Sequence, residues 1–311
     1  MQTRLIGSTS YFSKAQLEAT NFSRAEGIDA ATEFKWRKTT GNLVKQAIKK
    51  LKLPDWVYET AMTYINRYFL TRSISKAERF SVVGGAVLLA SKVQESPRAI
   101  YDIAFVLHEL KNANKQQLGP DQRQVEKLME DMVVAEQAML FALNFNLVVE
   151  THVSLARRLL EPLDLWPKQQ PALEEVEANQ LKLFLFQAIL RFLNDSALTN
   201  LSLQYPNQKV AAVALVMAAK RLAVRYTGKV MPSALQRAVV LANDAAWFEA
   251  RGLTLEAAAD IEAQISDLYA TAPDPALAQK AKPSAPQQVA LQQVPQQAPE
   301  QAAISAGKAR E

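Results

Sequence analysis

One seven-residue pattern occurs twice, and it limits the folds open to this chain more than any other feature. Ala86-Val-Leu-Leu-Ala-Ser-Lys92 returns 128 positions later as Ala214-Leu-Val-Met-Ala-Ala-Lys220. Each copy is the middle of a segment that is apolar nearly all round, predicted as helices over 79–95 and 207–225. A helix without a polar face must be enclosed by other helices. Two long copies therefore predict two related helical domains, whereas a solenoid would need three or more shorter repeats.

The flanking sequence supplies the enclosing helices. Before the first centre, the pattern predicts helices over 36–50, ending before Pro54, and from Asp55, a good N-cap, with Val57, Ala61, Ile65 and Tyr68/Phe69 on one face. After it come helices over 99–111 and 123–145, separated by a loop with Gly119-Pro120. Around the second centre, helices are expected at 151–162, 176–196, 232–248 and 254–270. The class is all-α: two tandem five-helix domains over 36–148 and 149–270, with a lead-in over 1–35. Past Thr271 the composition turns to Ala, Pro and Gln, too poor in bulky apolar residues to offset chain entropy, so 271–311 is expected to be a disordered tail. Gly84-Gly85 would each cost about 1 kcal/mol in an exposed helix, and their expected use is to let a neighbouring helix come close.

Composition narrows the chemistry. With no cysteine and two histidines, the chain has no disulfide scaffold, no Cys-ligated zinc and no thiol nucleophile, which suits a reducing compartment. No secretion signal is apparent, and the longest apolar run falls short of the roughly 20 residues needed to span a bilayer, so an intracellular, membrane-free protein is expected. The net charge of +5 is spread over many helices, and the run Lys45, Lys49, Lys50, Lys52 reads as the wet side of an amphipathic helix. No phosphate loop, kinase catalytic loop, zinc-protease motif or nucleophile elbow is present. His108 and His152 read as structural. The expectation is a binding protein, with no catalytic residue, metal or cofactor.

Two charges sit where apolar residues belong. The stripe Met129, Met132, Val133, Met139, Leu140, Leu143 is interrupted at its i+4 slot by Glu136, and Lys92 directly follows the first central apolar run. Either charge left desolvated alone would cost several kcal/mol, so the two could neutralise each other. A lysine in the last turn of a helix also suits the macrodipole and can reach water. Paired at the rim of an apolar groove, the two would be able to grip the backbone of an incoming helix.

Leu88-Leu-Ala-Ser-Lys-Val-Gln-Glu-Ser-Pro-Arg98 closely resembles the third helix of the cyclin box in cyclins K, T and L. Tyr64-Ile-Asn-Arg-Tyr-Phe69, Phe192-Leu-Asn-Asp-Ser196, Leu201-Ser-Leu-Gln-Tyr205 and Gly27-Ile-Asp-Ala-Ala-Thr-Glu33 resemble further family segments in the right order, over about 10–270. The resemblance implies a transcriptional cyclin: a nuclear regulatory subunit that binds and activates a cyclin-dependent kinase acting on the RNA polymerase II tail. It implies that Lys92 and Glu136 grip the kinase, with Glu95, Leu89, Leu140, Phe145, Tyr11 and Phe12 in the same kinase-binding set. Arg67 and Lys220 are read as structural; Lys220 has Gln264, not a glutamate, 44 residues on. Gln94 and Asn66 stand where the family has a glutamate and a histidine, which implies a weakened or rerouted polar contact with the kinase. The first helix reads Trp36-Arg-Lys-Thr-Thr-Gly-Asn-Leu-Val44, not the Met-Arg-Ala-Ile-Leu of the substrate groove in cell-cycle cyclins, and few residues precede the first box to hold a destruction signal; the resemblance is thus to a transcriptional cyclin and not a cell-cycle one. Two alternatives stay open: a two-box basal factor that binds DNA, and a cyclin-fold scaffold without a kinase.

Overall fold

The computed structural model describes residues 11–113, 121–161 and 172–270, with side chains in the third stretch described from 180 on and not at 233–234. Fourteen helices and no strand occur among them: α1 Lys14–Ala19, α2 Phe22–Ala25, α3 Ala30–Lys50, α4 Asp55–Tyr68, α5 Arg79–Val93, α6 Ile100–Lys111, α7 Gln122–Ala142, α8 His152–Leu160, α9 Ala172–Ser196, α10 Leu201–Gln204, α11 Asn207–Ala223, α12 Ser233–Val240, α13 Ala245–Glu249 and α14 Leu255–Ala270. None is long and apolar enough to cross a membrane. The expected tail at 271–311 lies outside the described residues.

Two separate apolar cores account for the two copies of the pattern. The first is built from α3 to α7 around α5, in which Val83, Ala86, Val87 and Ala90 are fully buried. The second surrounds α11, whose residues from Val210 to Ala219 are all buried against α8, α9, α12 and α14. Both central helices are enclosed on every side, as a helix without a polar face requires.

Where helix bounds differ from the expectation, a short-range bond explains it. The Asp29 side chain accepts from the Thr32 N–H, so α3 starts at Ala30, six residues before the expected Trp36. The Asp244 side chain accepts from the Trp247 N–H, and this new start divides the expected helix over 232–248 into α12 and α13. At the other end of the first bundle, α7 stops at Ala142 because Asn144 and Phe145 adopt left-handed backbone (φ 47° and 57°).

The seam between the bundles is polar and buried. Asn66 accepts from Arg37 Nη1 (2.6 Å) and donates to the Ala197 carbonyl (3.0 Å), linking α3, α4 and the turn after α9. Gly41 on α3 faces Leu198 so closely that a Cβ there would lie 2.2 Å from its Cδ2. Glu59 of α4 accepts from the His152 N–H at the start of α8 (2.6 Å), and His152 Nδ1 lies 2.9 Å from Asn194 Oδ1. Burial pushes the Glu59 carboxyl up to about 7, against the hydrogen bond from His152. The same burial holds the His152 ring down to about 4, partly countered by Asn194.

Candidate functional site

The last turn of α5 and the middle of α7 meet at one pair. Lys92 Nζ donates to both Glu136 carboxylate oxygens, at 2.7 and 3.0 Å. The lysine side chain is 52% exposed and the glutamate 11%. The pair thus faces water through its cation, while the carboxylate is set among apolar neighbours.

Glycine makes this arrangement possible. A Cβ on Gly84 would lie 2.4 Å from Met132 Cγ, and one on Gly85 would lie 2.8 Å from the Glu136 backbone nitrogen and 2.9 Å from Ala135 Cβ. The neighbour that the two glycines admit is therefore α7, at the turn that carries Glu136. Any larger residue at 85 would push that turn, and the carboxylate with it, away from Lys92.

The surroundings of the pair are apolar and open. Val133, Gln137 and Phe141 recur on the outer side of α7 at helical spacing, with Leu140 half-buried beside them. Phe141 is 70% exposed and Phe145 62%, and their rings meet edge to face with centroids 5.9 Å apart. Val134 and Val148 are exposed as well. Large apolar side chains left in water on the helix that carries Glu136, and just past its end, are the makeup of a protein-docking surface.

Two residues of this face hold an unfavourable backbone. Helix α5 ends with Ser96 N–H bonded to the Ser91 carbonyl and Glu95 N–H to the Lys92 carbonyl. This six-to-one closure requires a left-handed residue, and Glu95 (φ 50°) takes the place usual for glycine. Helix α7 closes the same way, Phe145 N–H to Leu140 and Asn144 N–H to Phe141. Non-glycine residues in this region cost on the order of 1–2 kcal/mol each. Glu95 and Phe145 carry that strain while exposed, Phe145 with only the Phe141 ring against it.

Other expected site residues go elsewhere. Leu89 is 4% exposed and belongs to the core, so it backs the face instead of contacting a partner. Phe12 N–H donates to the Leu203 carbonyl (3.0 Å), and Tyr11 and Phe12 line a cleft of about 560 Å³ with Tyr205 and Asp260. Their described contacts are with the second bundle and Arg67, not with Lys92 or Glu136. Arg67 donates to the Asn146 carbonyl (3.4 Å), and burial lowers its pKa. Asn66 is buried in the seam, so its departure from the family histidine reroutes a contact inside the chain, not one with a kinase. Gln94 turns inward and donates to Thr60 Oγ1 (2.9 Å). His108 and His152 are both buried within hydrogen-bond distance of neighbouring side chains.

Two features escape the sequence pattern. Phe141 lies off the apolar stripe of α7, and the signal for it is a bulky aromatic on the polar side of an amphipathic helix. Lys220 is paired after all, with Glu262 of α14 at 2.8 and 3.0 Å. The separation is 42 residues instead of 44, which is why a search at fixed spacing stops at Gln264.

The profile of the family described as cyclin, N-terminal domain, matches residues 9–148. Among curated relatives, Cyclin-T1-3 of Oryza sativa subsp. japonica is 30% identical over 223 residues, covering 71% of this chain and 42% of the relative. Cyclin-T1 of Mus musculus is 28% identical over 215 residues, 68% of this chain and 27% of the relative. The chain therefore spans well under half the length of these curated relatives. Among solved structures, a chain of the yeast RNA Pol II CTD kinase CTDK-1 complex superimposes with a TM-score of 0.57 at 16% identity, covering 76% of this chain and 73% of that one. A chain of the CAK complex of Chaetomium thermophilum bound to ATP-gamma-S gives 0.52 at 17% identity, with 88% and 86% covered. The two-bundle all-α architecture is thus shared with the matching chains of these complexes, and residues 9–148 of the protein are a cyclin N-terminal domain.

Proposed function

We propose that this chain is the regulatory subunit of a transcriptional cyclin-dependent kinase, acts in the nucleus, and performs no catalysis itself. The first box, over 36–148, is the kinase-docking domain, and 149–270 is a second box. The observation that carries this reading is the Lys92–Glu136 pair, with exposed Val133, Val134 and Phe141 on the helix that carries Glu136 and exposed Phe145 just past its end. The relatives among T cyclins and the likeness to a chain of an RNA polymerase II tail kinase support the choice of kinase and substrate.

The role of each group follows from its chemistry. Phe141 and Phe145 would fill apolar hollows of the kinase's regulatory helix and add to the grip of the charged pair. Lys92 would hold backbone carbonyls of the incoming segment, with Glu136 fixing the direction of its ammonium. Glu95, held outward by its left-handed backbone, would meet a basic group. Binding of this kind activates only if the contacts are better with the kinase's active arrangement than with its resting one, since a ligand shifts an equilibrium by its differential affinity alone.

Coexpression with transcriptional cyclin-dependent kinases tests the reading, with phosphorylation of a Ser-Pro-containing polymerase tail peptide as the readout. A stable complex with activity well above that of kinase alone is expected. Absence of both complex and activation with every such kinase would overturn it.

A further inference from the structure

The second bundle carries its own Lys–Glu pair, on a surface that the kinase-docking reading does not use. Lys220 occupies the last turn of α11 and Glu262 the middle of α14, beside a cleft of about 350 Å³. Phe192, Met217 and Val224 give the cleft apolar walls, and Tyr269 closes one end. A space of this size, at the low end of ligand pockets, takes one or two apolar side chains and not a cofactor.

Cations dominate the rim. Arg221 lies over the Tyr269 ring (6.0 Å) and Arg225 over the Phe184 ring (5.9 Å), with Arg191 exposed on the neighbouring turn of α9. Among the described residues, none of these three arginines donates a hydrogen bond or forms an ion pair, so their donors are free for a partner. Only Lys220 is neutralised, by Glu262, while Asp195 is held by the Tyr269 hydroxyl (2.7 Å). Stacking on rings holds the guanidinium planes in place while leaving their edges open, which suits carboxylates. Phe184 and Val224, both exposed, extend the apolar surface beyond the cleft.

We propose that this α9/α11/α14 face is a docking site for an acidic amphipathic segment of a partner protein. An apolar side chain of the segment enters between Phe192 and Met217, and its carboxylates pair with Arg221, Arg225 and Arg191. The site is independent of the Lys92 face, so the chain can hold this partner and a kinase together.

The test uses the full chain and a labelled peptide of about 18 residues, with leucines at i, i+3, i+4, i+7 spacing and glutamates elsewhere. Anisotropy should show binding that weakens with salt, and the Met217 methyl resonance should shift on titration. Arg221→Glu, at a surface position, should lower the affinity about tenfold or more, whereas Lys92→Glu should leave it unchanged. Equal or tighter binding of the lysine-for-glutamate peptide or of a single-stranded RNA of similar length, an unmoved Met217 methyl, unchanged affinity in Arg221→Glu, or no binding would each overturn the proposal. Kinase activation by Arg221→Glu, measured in parallel, should stay at the wild-type level, which separates failure here from failure of the kinase reading.

Discussion

The two bundles place a lysine at the same point of the repeat, yet their pairs differ in burial. Glu136 is 11% exposed, whereas Glu262 is 34% exposed. The positions two turns before each lysine explain this. The first central helix has Gly84 and Gly85, and the second has Ala212 and Val213 at the matching places. With no side chain at 84 and 85, α7 packs tightly against α5, more extensively than any other helix pair among the described residues. With Ala and Val, α11 packs chiefly on α9, and α14 stays further out. Two hydrogen atoms in place of side chains thus set how deeply a carboxylate is buried, and with it how rigidly the lysine opposite is aimed.

Giving the first bundle the residue of the second is the most disruptive way to break this comparison. Gly85→Val drives a branched side chain into Ala135 and the Glu136 backbone, and should destabilise the chain by about 2–3 kcal/mol in denaturant unfolding. Phe141→Ala with Phe145→Ala comes next. Both rings are exposed, so stability should hardly change, while the affinity for the kinase should fall by about 2 kcal/mol, roughly thirtyfold, in a binding titration.

A third effect belongs to the seam that joins the bundles. Glu59, raised to about 7, favours its neutral form in the fold; that contribution is complete below about 4.5 and is lost as pH rises through 7. His152, lowered to about 4, acts in the opposite sense, contributing above 6.5 and losing its share as pH falls towards 4. The two slopes offset each other between these ranges, and above pH 6.5 the loss at Glu59 remains. Wild type should therefore lose about 0.4 kcal/mol between pH 6.5 and 8, and Glu59→Gln, which keeps an acceptor for the His152 N–H, should abolish that decline in pH-dependent melts.

The smallest effect concerns the way the two central helices end. Helix α11 runs on into a tighter turn at Val224–Tyr226, whereas α5 closes through left-handed Glu95. Glu95→Gly should raise stability by about 0.5–1 kcal/mol and weaken kinase binding at the same time. If binding is unchanged, the strain at Glu95 serves no contact.

Much of this was legible in the chain. An apolar helix with no polar side needs a bundle around it, and two copies need two bundles. Lys92 and Glu136 stand out because each breaks an apolar pattern, and the glycines two turns before Lys92 announce a close neighbour. What stayed hidden depends on helix rotation and long-range contact. Asn66 looks like a surface variant until Ala197, more than a hundred residues away, is brought to it. Glu262 is two positions off the repeat, and Leu89 looks like a groove residue although α5 turns it into the core. Tyr11 and Phe12 look like partner contacts, but the Phe12 N–H is taken up by Leu203 of the chain's own second bundle, and both residues line a cleft against it.

Kinase activation by two double variants, measured side by side, tests the central claim most directly. Lys92→Ala with Glu136→Ala should lower the affinity for the kinase by a factor of about 100, while the variant with Lys220→Ala and Glu262→Ala should match wild type, melting curves confirming that both are folded. Equal losses in the two variants, or full activation by the first, would contradict the assignment of the buried pair as the kinase grip.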